Sequence, residues 1–401
     1  MGVWTGTDAL SALLALPEGE KEERGLRYTP REIYQQPATW QTTYQLIARR
    51  QPEIREFLQE AGISANGRPQ PTVFLVGAGT SDYIGRSLNA LLRARWRCEV
   101  IAVPSTDLLT GAEEWLLPDR PYFWISFSRS GDSPEGVAVL DMALRRYPEI
   151  RHLVLTCNQE SRMARQFSGH PGVRCLVLDD AVNDRGLAMT SSYSNMVVAG
   201  HCLAHIQALA EYEAILKQLC EAGTRFLGPA ADLAERLAAA GFSRLCLLGA
   251  GPLNAVARES ALKVLELTAG KICTLPESSL GLRHGPLSAV DQETLVVSYL
   301  SGDARRRGYE IDLLAEIRRK GLGKTRVAVS ATADARAERL VDTALSSGLP
   351  PSFPDEYRPP VDVIFGQSLG LFASLYHGLK PDTPSPNGAI SRVVPQVNIY
   401  H

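Results

Sequence analysis

The chain has 401 residues, of which 45% are hydrophobic and 21% are charged, and its formal net charge is −2. This length favours two domains with separate cores over one large core. The composition is typical of a globular protein, and the near-neutral charge gives no support to a nucleic-acid partner, which usually requires a basic excess.

The cysteines and the N-terminus both bear on cellular location. Seven cysteines are scattered without a CxxC pair and lie mostly in apolar runs, which predicts reduced core residues. The first residues lack the basic and apolar pattern of a signal peptide, and no apolar run approaches the ~18 residues of a membrane span. We therefore expect a cytoplasmic protein without a membrane partner.

A helical arm is predicted over residues 1–50, ahead of any sheet. Its clearest helix begins in TPREIYQQP, where Thr29 can cap the helix and Pro30 suits the first helical position. Glu32 would complete a capping box with Thr29.

The remainder of the chain predicts two similar domains. VFLVGAGTSDYIGRSLNALL is echoed by LCLLGAGPLNAVARESALKVL, with Gly77 and Gly79 matched by Gly249 and Gly251. Short apolar strands alternate with helical stretches after each copy, which is typical of parallel sheets covered by helices. The predicted fold class is α/β, with two tandem doubly wound, flavodoxin-like domains. Their predicted ranges are 51–222 and 223–385, followed by a Pro-rich tail at 386–401.

The first glycine-rich loop predicts phosphate binding. A dinucleotide fingerprint would need glycine at Asp82, and no acidic ribose ligand ends the next strand. Thr80 and Ser81 instead place hydroxyls at a helix N-terminus, which suits a compact phosphate monoester. Serine and threonine are also favoured as ordinary N-caps, so this loop alone leaves both interpretations open.

A second hydroxyl-rich turn follows the third strand of the same domain. SFSRSGDSPE presents Ser128, Arg129, Ser130 and Ser133 before a helix, where a cap would need only one hydroxyl. Loops after strands one and three converge on one crevice if the strand order reverses between them. We therefore predict a phosphate cradle. The second copy, GAGPLN, lacks the hydroxyl pair, so only the first domain is expected to hold phosphate.

These motifs resemble a known family. GAGTS and SFSRSGDSPE resemble the paired phosphate loops of sugar isomerase (SIS) domains, and two such domains in tandem resemble the isomerase half of glucosamine-6-phosphate synthase. REIYQQPATW, ALKVLELTAG and LGLRHGPLS make the chain most similar to the tagatose-6-phosphate ketose/aldose isomerases, also described as galactosamine-6-phosphate deaminases. The resemblance covers nearly the whole chain and implies a phosphosugar substrate and a homodimer or larger homo-oligomer. None of the motifs requires a metal or an organic cofactor.

The resemblance also implies roles for residues in the second domain. Lys263 and Glu266 share a helix face, a spacing that is more often an ordinary exposed salt pair. In the family, the carboxylate at Glu266 moves a proton between C1 and C2, with a lysine at Lys263 beside it. The histidine at His284 opens the sugar ring and reaches the active site of a neighbouring subunit.

Two further residues are candidate contacts, and two other patterns are set aside. Thr190 is a candidate, as is Arg392, because glucosamine-6-phosphate synthase has a tail lysine near its substrate. His201 and His205 are spaced i, i+4 but lack the glutamate of HExxH, so we expect structural roles. ARRRGYE, residues 304–310, is expected to be the solvated face of a helix.

The leading functional hypothesis is the conversion of galactosamine 6-phosphate to tagatose 6-phosphate and ammonia. Glucosamine-6-phosphate synthase obtains ammonia from its own glutaminase, and no such segment precedes the two copies in this sequence, which favours the reverse reaction. A plain aldose/ketose isomerase of a neutral hexose 6-phosphate is the alternative enzyme. A non-catalytic sugar-phosphate-binding regulator is the other alternative, and it would not need the carboxylate of Glu266.

Overall fold

The computed structural model describes residues 7–63, 70–395 and 397–400. Its strands are β1 Thr72–Gly77, β2 Val100–Pro104, β3 Tyr122–Ser128, β4 Arg151–Thr156, β5 Val173–Val177, β6 Arg244–Gly249, β7 Cys273–Ser278, β8 Thr294–Leu300, β9 Thr325–Ser330 and β10 Thr343–Ser346. Its α-helices are α1 Ala9–Leu14, α2 Glu18–Arg24, α3 Thr29–Tyr34, α4 Gln36–Arg49, α5 Gln51–Glu60, α6 Thr80–Trp96, α7 Ser105–Gly111, α8 Pro134–Arg146, α9 Arg162–Phe167, α10 Ser191–Ala204, α11 Leu209–Ala240, α12 Pro252–Leu267, α13 Ala304–Arg319, α14 Ala335–Glu338 and α15 Pro359–Tyr376.

The chain divides into two compact units that are interleaved in sequence. The first-sheet unit comprises Ala38–Asp184, Ser191–Lys217 and Ile390–His401. The second-sheet unit comprises Met1–Pro37, Arg185–Thr190 and Gln218–Ala389. The linear division into an arm, two domains and a tail stays a prediction.

The first-sheet unit contains a parallel sheet of order β2-β1-β3-β4-β5. The chain moves outward from β1 to β2 and then returns past β1 to β3, so the strand order reverses between β1 and β3. Gly77 pairs with Pro104 on one side of β1, and Val76 pairs with Ser126 on the other. The loops that follow β1 and β3 therefore begin at adjacent strand ends, as the cradle prediction requires.

Helices cover both faces of this sheet, which explains its apolar strands. All six residues of β1 and all seven of β3 are buried. Phe74, Trp124 and Val139 belong to one core cluster, which includes residues of α7 and α8. On α10, Gly200 has no room for a Cβ, because the Cδ1 atom of Leu88 on α6 would lie 2.2 Å away.

The second-sheet unit contains a parallel sheet of order β10-β9-β8-β6-β7. Its strand order reverses between β6 and β8, as in the other unit. The predicted α/β fold with two doubly wound parallel sheets is therefore confirmed. The sequence analysis missed β10, because the segment TALS is a short edge strand without a sustained apolar run.

Helices α12 and α15 of this unit pack closely through small residues. A Cβ at Gly366 would lie 2.3 Å from the Cβ of Ser260, and one at Gly370 would lie 3.0 Å from the carbonyl oxygen of Lys263. Residues Pro359–Ser374 of α15 are all buried. This contact fixes the position of α12, the helix that carries Lys263 and Glu266.

The predicted helix at Thr29 is confirmed, but the predicted capping box is wrong. Helix α3 spans Thr29–Tyr34 and has no side-chain cap. The Thr29 amide and hydroxyl instead donate to the Asp382 carboxylate, at 2.8 and 2.7 Å. The Glu32 carboxylate accepts from the Arg185 amide. Asp382 and Arg185, which are distant in sequence, thus bond to the two residues that would have formed the capping box.

Four other expectations can be compared with the described residues. The cysteines are free thiols, and five of them are buried. Cys175 is half-buried and Cys273 is exposed at the start of edge strand β7, so the core assignment is wrong for those two.

His201 is buried, with Nδ1 3.0 Å from the Tyr212 hydroxyl oxygen. Arg307 of the ARRRGYE segment is buried and donates to the Ser301 carbonyl, so a fully solvated face is wrong there. No helix in the described ranges has the length and apolar character needed to cross a membrane.

Candidate active site

The loop after β1 requires its glycines for steric reasons. A Cβ at Gly77 would lie 2.5 Å from the backbone oxygen of Ser81, and Gly79 has a φ of 57°. Helix α6 begins immediately afterwards, and both Thr80 and Ser81 are buried in its first turn. The strand therefore turns sharply into a helix N-terminus, which brings two hydroxyls to the positive end of the helix.

Two serine hydroxyls of the loop after β3 accept hydrogen bonds from backbone amides of the same loop. Ser128 Oγ accepts from the Gly131 amide at 3.1 Å, and Ser130 Oγ accepts from the Asp132 amide at 3.2 Å. Ser133 occupies the N-cap position of α8 and is half-buried. Because a hydroxyl donates as well as accepts, these bonds leave the O–H of Ser128 and Ser130 able to donate to an anion.

The segment after β4 packs against the loop after β3. This contact was missed from the sequence. Gly131 has a φ of 63°, and a Cβ there would lie 2.4 Å from Ser161 Oγ. The Asn158 side-chain amide donates to the Ser130 carbonyl at 3.1 Å. The polar run CNQES directly after β4 was the available signal, since it stands at the strand end next to the predicted cradle.

Charged side chains surround the two loops of the first-sheet unit. Asp82, at the start of α6, is paired with Arg86 at 2.7 Å. Arg129 is buried and its Nη2 donates to the Arg392 carbonyl at 2.5 Å. The structure therefore brings Arg392 beside the hydroxyl-rich loop.

Thr190 is buried in the second-sheet unit, where its carbonyl accepts from Gln367 at 3.3 Å.

A row of three charged residues lies along α12. Lys263 Nζ is 2.7 Å from Glu266 Oε2 and 3.4 Å from Glu259 Oε1. The side chains of Glu259 and Lys263 are 0% exposed, whereas that of Glu266 is 23% exposed. The interpretation as an exposed salt pair is therefore wrong, because the lysine is buried between two carboxylates.

The charge of Lys263 follows from these partners. Burial alone would lower the pKa of Lys263, but the carboxylates of Glu259 and Glu266 outweigh that effect and raise the pKa above its ordinary value. The lysine thus stays an ammonium. The sequence analysis missed Glu259, although ESALKVLE places it at i, with Lys263 at i+4 and Glu266 at i+7, on one face of the helix.

His284 lies in an exposed turn of the second-sheet unit. It follows the 3-10 turn Gly281–Arg283, and its amide donates to the Gly281 carbonyl at 2.9 Å. The next residue, Gly285, has a φ of 122°, which favours glycine. The imidazole is therefore displayed on a turn with a defined backbone.

The second glycine-rich loop copies the first in shape but not in donors. Gly251 has a φ of 56°, and a Cβ at Gly249 would lie 2.2 Å from the Leu253 carbonyl oxygen. Beyond β8, the Ser301 hydroxyl and the Gly302 amide both donate to the Asp355 carboxylate. A carboxylate of the protein therefore already accepts the donors at this strand end.

Comparisons with known proteins identify relatives of this chain. No protein-family model matches the chain. The D-galactosamine-6-phosphate deaminase AgaS of Escherichia coli is 36% identical over 376 residues, which cover 93% of this chain and 95% of that protein. A Clostridium novyi structure, described provisionally as a tagatose-6-phosphate ketose/aldose isomerase, has a TM-score of 0.91 and 32% identity, covering 97% of this chain and 98% of its own.

A more distant structure shares the fold alone. The C-terminal domain of glucosamine-fructose-6-phosphate aminotransferase from Francisella tularensis has a TM-score of 0.73 and 18% identity, with coverage of 92% of this chain and all of that one. Identity above 30% over nearly the full length of both chains is decisive for family membership. The chain therefore belongs to the AgaS family of D-galactosamine-6-phosphate deaminases.

Proposed function

We propose that this chain converts D-galactosamine 6-phosphate and water to tagatose 6-phosphate and ammonia. The observation that carries the proposal is the row on α12, where the partly exposed Glu266 carboxylate is bonded to a buried ammonium. One relative is named for the amino-sugar phosphate and one structural neighbour for the ketose phosphate. The two compounds differ by a C1–C2 proton transfer and the exchange of nitrogen for oxygen at C2.

The proposed reaction has three steps. His284 passes a proton to open the ring to the 2-amino aldehyde. Glu266 then takes the proton from C2 and returns it to C1 through an enolamine, which leaves a ketimine at C2. Water adds to the ketimine, and cleavage of the C–N bond releases ammonia and the ketose phosphate. We assign Lys263 a positioning role, because its ammonium is buried and holds Glu266 in one orientation.

The hydroxyl-rich loops would bind the substrate phosphate. The proposed donors are Thr80, Ser81, Ser128, Ser130 and Ser133, with the guanidinium of Arg129. Ser128 and Ser130 can donate an O–H while their oxygens accept within the loop, and the N-termini of α6 and α8 favour negative charge. We propose one phosphate per chain, which is supported by the bonds that already engage the Ser301 hydroxyl and the Gly302 amide in the other unit.

Assembly and location are also proposals. We infer a homo-oligomer in which His284 serves a neighbouring subunit, which is supported by its exposed position. Free thiols at all seven cysteines support a reducing, cytoplasmic location. The shared strand order and the matching glycine φ angles support an internal repeat.

The function is tested by one assay panel. The purified protein is incubated with the 6-phosphates of galactosamine, glucosamine and tagatose, while ammonia and ketose are measured in parallel. Equimolar ammonia and tagatose 6-phosphate from the galacto substrate are expected. Interconversion of neutral hexose phosphates without ammonia from either amino sugar would establish the plain isomerase, which the name of the Clostridium novyi neighbour favours. Binding without turnover of any substrate would establish the regulator.

A further inference from the structure

Arg392 makes polar contacts with Arg129, Asn183 and Asp184 in the first-sheet unit. Its backbone carbonyl accepts from Arg129 Nη2 at 2.5 Å. Its own guanidinium donates through Nε to the Asp184 carbonyl and through Nη2 to Asn183 Oδ1, both at 2.7 Å. The side chain and the backbone of Arg392 therefore face different partners.

This arrangement separates the charge of Arg392 from the candidate phosphate loop. The guanidinium donates to Asn183 and Asp184, whereas the neutral backbone carbonyl accepts from Arg129. We propose that Arg392 is a positioning residue, which does not bind the substrate phosphate but holds Arg129 in the orientation that does. The inference rests on the proposed phosphate-binding function of Arg129.

Arginine needs such a partner because its side chain is long and has many rotamers. A guanidinium has five N–H donors, so one bond to a carbonyl orients the group without using up its capacity for an anion. Fixing the rotamer before binding removes an entropy cost that the ligand would otherwise have to meet. Arg392 thus pre-orients the cation of the cradle.

Residues of the tail beyond Arg392 border a groove beside α8. Pro395, Val397 and Ile399 line one groove together with Val137 and Ala138 of that helix. Helix α8 begins directly after the Ser133 cap of the hydroxyl-rich loop. The tail thus contacts the cation of the cradle at Arg392, and its following residues border a groove beside the helix that continues from the same loop.

A double-mutant cycle tests the proposal through binding of inorganic phosphate, measured by calorimetry on the full-length protein. Arg392→Ala removes the guanidinium that anchors this segment to Asn183 and Asp184, so its carbonyl no longer holds Arg129 in place. Phosphate binding is therefore expected to weaken by about tenfold. In the Arg129→Ala background, Arg392→Ala should cause no further loss. Asn183→Ala leaves Arg392 in place and should weaken phosphate binding in the same direction, while Arg305→Ala, at an exposed arginine of α13, should have no effect.

Opposite outcomes overturn the proposal. A direct phosphate ligand at position 392 would give additive losses with Arg129→Ala, and Arg392→Lys would retain binding because the charge remains. Unchanged phosphate affinity in Arg392→Ala or in Arg129→Ala would also overturn it. Because calorimetry needs no turnover, absence of ammonia in the assay panel would refute deamination while leaving the positioning role to be decided by these affinities.

Discussion

The ammonium of Lys263 lies 2.7 Å from the Glu266 carboxylate and is reached by no solvent, whereas Glu266 itself is partly exposed. A carboxylate that moves a proton must keep one oxygen available while its orientation is fixed. The buried Lys263 ammonium fixes the orientation of the Glu266 carboxylate while leaving that side chain partly exposed.

Glu266→Gln should abolish most of the deaminase activity while leaving substrate binding nearly unchanged. The amide keeps the shape of the side chain but cannot accept the C2 proton, so kcat should fall by roughly 10²- to 10⁴-fold. Ammonia release and binding of the substrate are measured on the same preparation. Glu338→Gln, at an exposed carboxylate of α14, is the matched control and should retain activity. Full activity in Glu266→Gln would eliminate the proposed mechanism.

Lys263→Met should destabilise the fold strongly. Glu259 and Lys263 are both 0% exposed, so removal of the ammonium leaves a buried carboxylate without its counter-charge, at a cost of about 3–5 kcal/mol. Urea unfolding followed by circular dichroism measures the change. The double variant Glu259→Gln, Lys263→Met should recover part of the loss. If it were less stable than Lys263→Met alone, this electrostatic explanation would be wrong.

Ser128→Ala and Ser130→Ala should each weaken phosphate binding by about 1.5–3 kcal/mol, because each removes a hydrogen bond to a charged group. Each change also removes an acceptor for a loop amide. Thermal stability without phosphate therefore has to be compared with that in its presence. Ser243→Ala, at an exposed serine ahead of β6, controls for loss of a hydroxyl and should match the wild type. Equal affinities in all variants would remove these hydroxyls from the site.

Glu310 should make stability depend on pH. Burial raises the pKa of Glu310 from an ordinary 4.5 to about 7, while its carboxylate accepts from the Ser301 amide at 2.8 Å. Between these values the folded protein binds more protons than the unfolded chain, so stability should fall as pH rises from about 4.5 to about 7. Its contribution is at most about 3 kcal/mol. Burial raises the pKa of Asp362 as well, to about 6, and that carboxyl adds to the same trend.

The variant Glu310→Gln isolates this contribution. Urea unfolding at pH 5 and pH 8 gives the change in stability for each protein, and the decrease should be smaller in the variant than in the wild type. Glu338→Gln again serves as the exposed control. Identical decreases in all three proteins would show that Glu310 is ionised at both pH values.

Mixed subunits test the shared-site proposal. Glu266→Gln and His284→Ala should each be inactive, and mixing them under conditions that allow subunit exchange should restore part of the activity. Recovery is expected because some sites then combine an intact Glu266 with an intact His284. Isotope-labelled subunits confirm exchange by mass spectrometry. Confirmed exchange without recovery would mean that both residues serve the site of their own chain.

The sequence predicted features that depend on local patterns. The alternation of apolar runs with helical stretches predicted the parallel sheets, and the hydroxyl-rich turns after Gly77 and Ser128 marked adjacent strand ends. Contacts between distant segments could not be predicted. The Asp382 carboxylate replaces the expected cap at Thr29, although the two residues are far apart in sequence.

Residues of the candidate site were missed for similar reasons. Asn158 and Asp355 act on loops that only the folded sheets bring near them. Glu259 was missed for a different reason. Its spacing from Lys263 was visible, but burial decides whether such a row is a surface salt pair or a fixed charge array, and spacing does not report burial.

Gly77 and Gly249 both serve the fold, by allowing a sharp turn, and not the chemistry of the candidate site. Both glycines admit the backbone of the following helix within 2.5 Å of where a Cβ would be, yet only the first turn leads to a pair of hydroxyls. Replacement of either glycine by alanine should therefore disturb a strand–helix joint, whatever the ligand. A search of other genomes with the Gly-x-Gly pattern would find both strand–helix turns. The hydroxyl residues that follow the pattern would distinguish turns with proposed phosphate donors from turns without them.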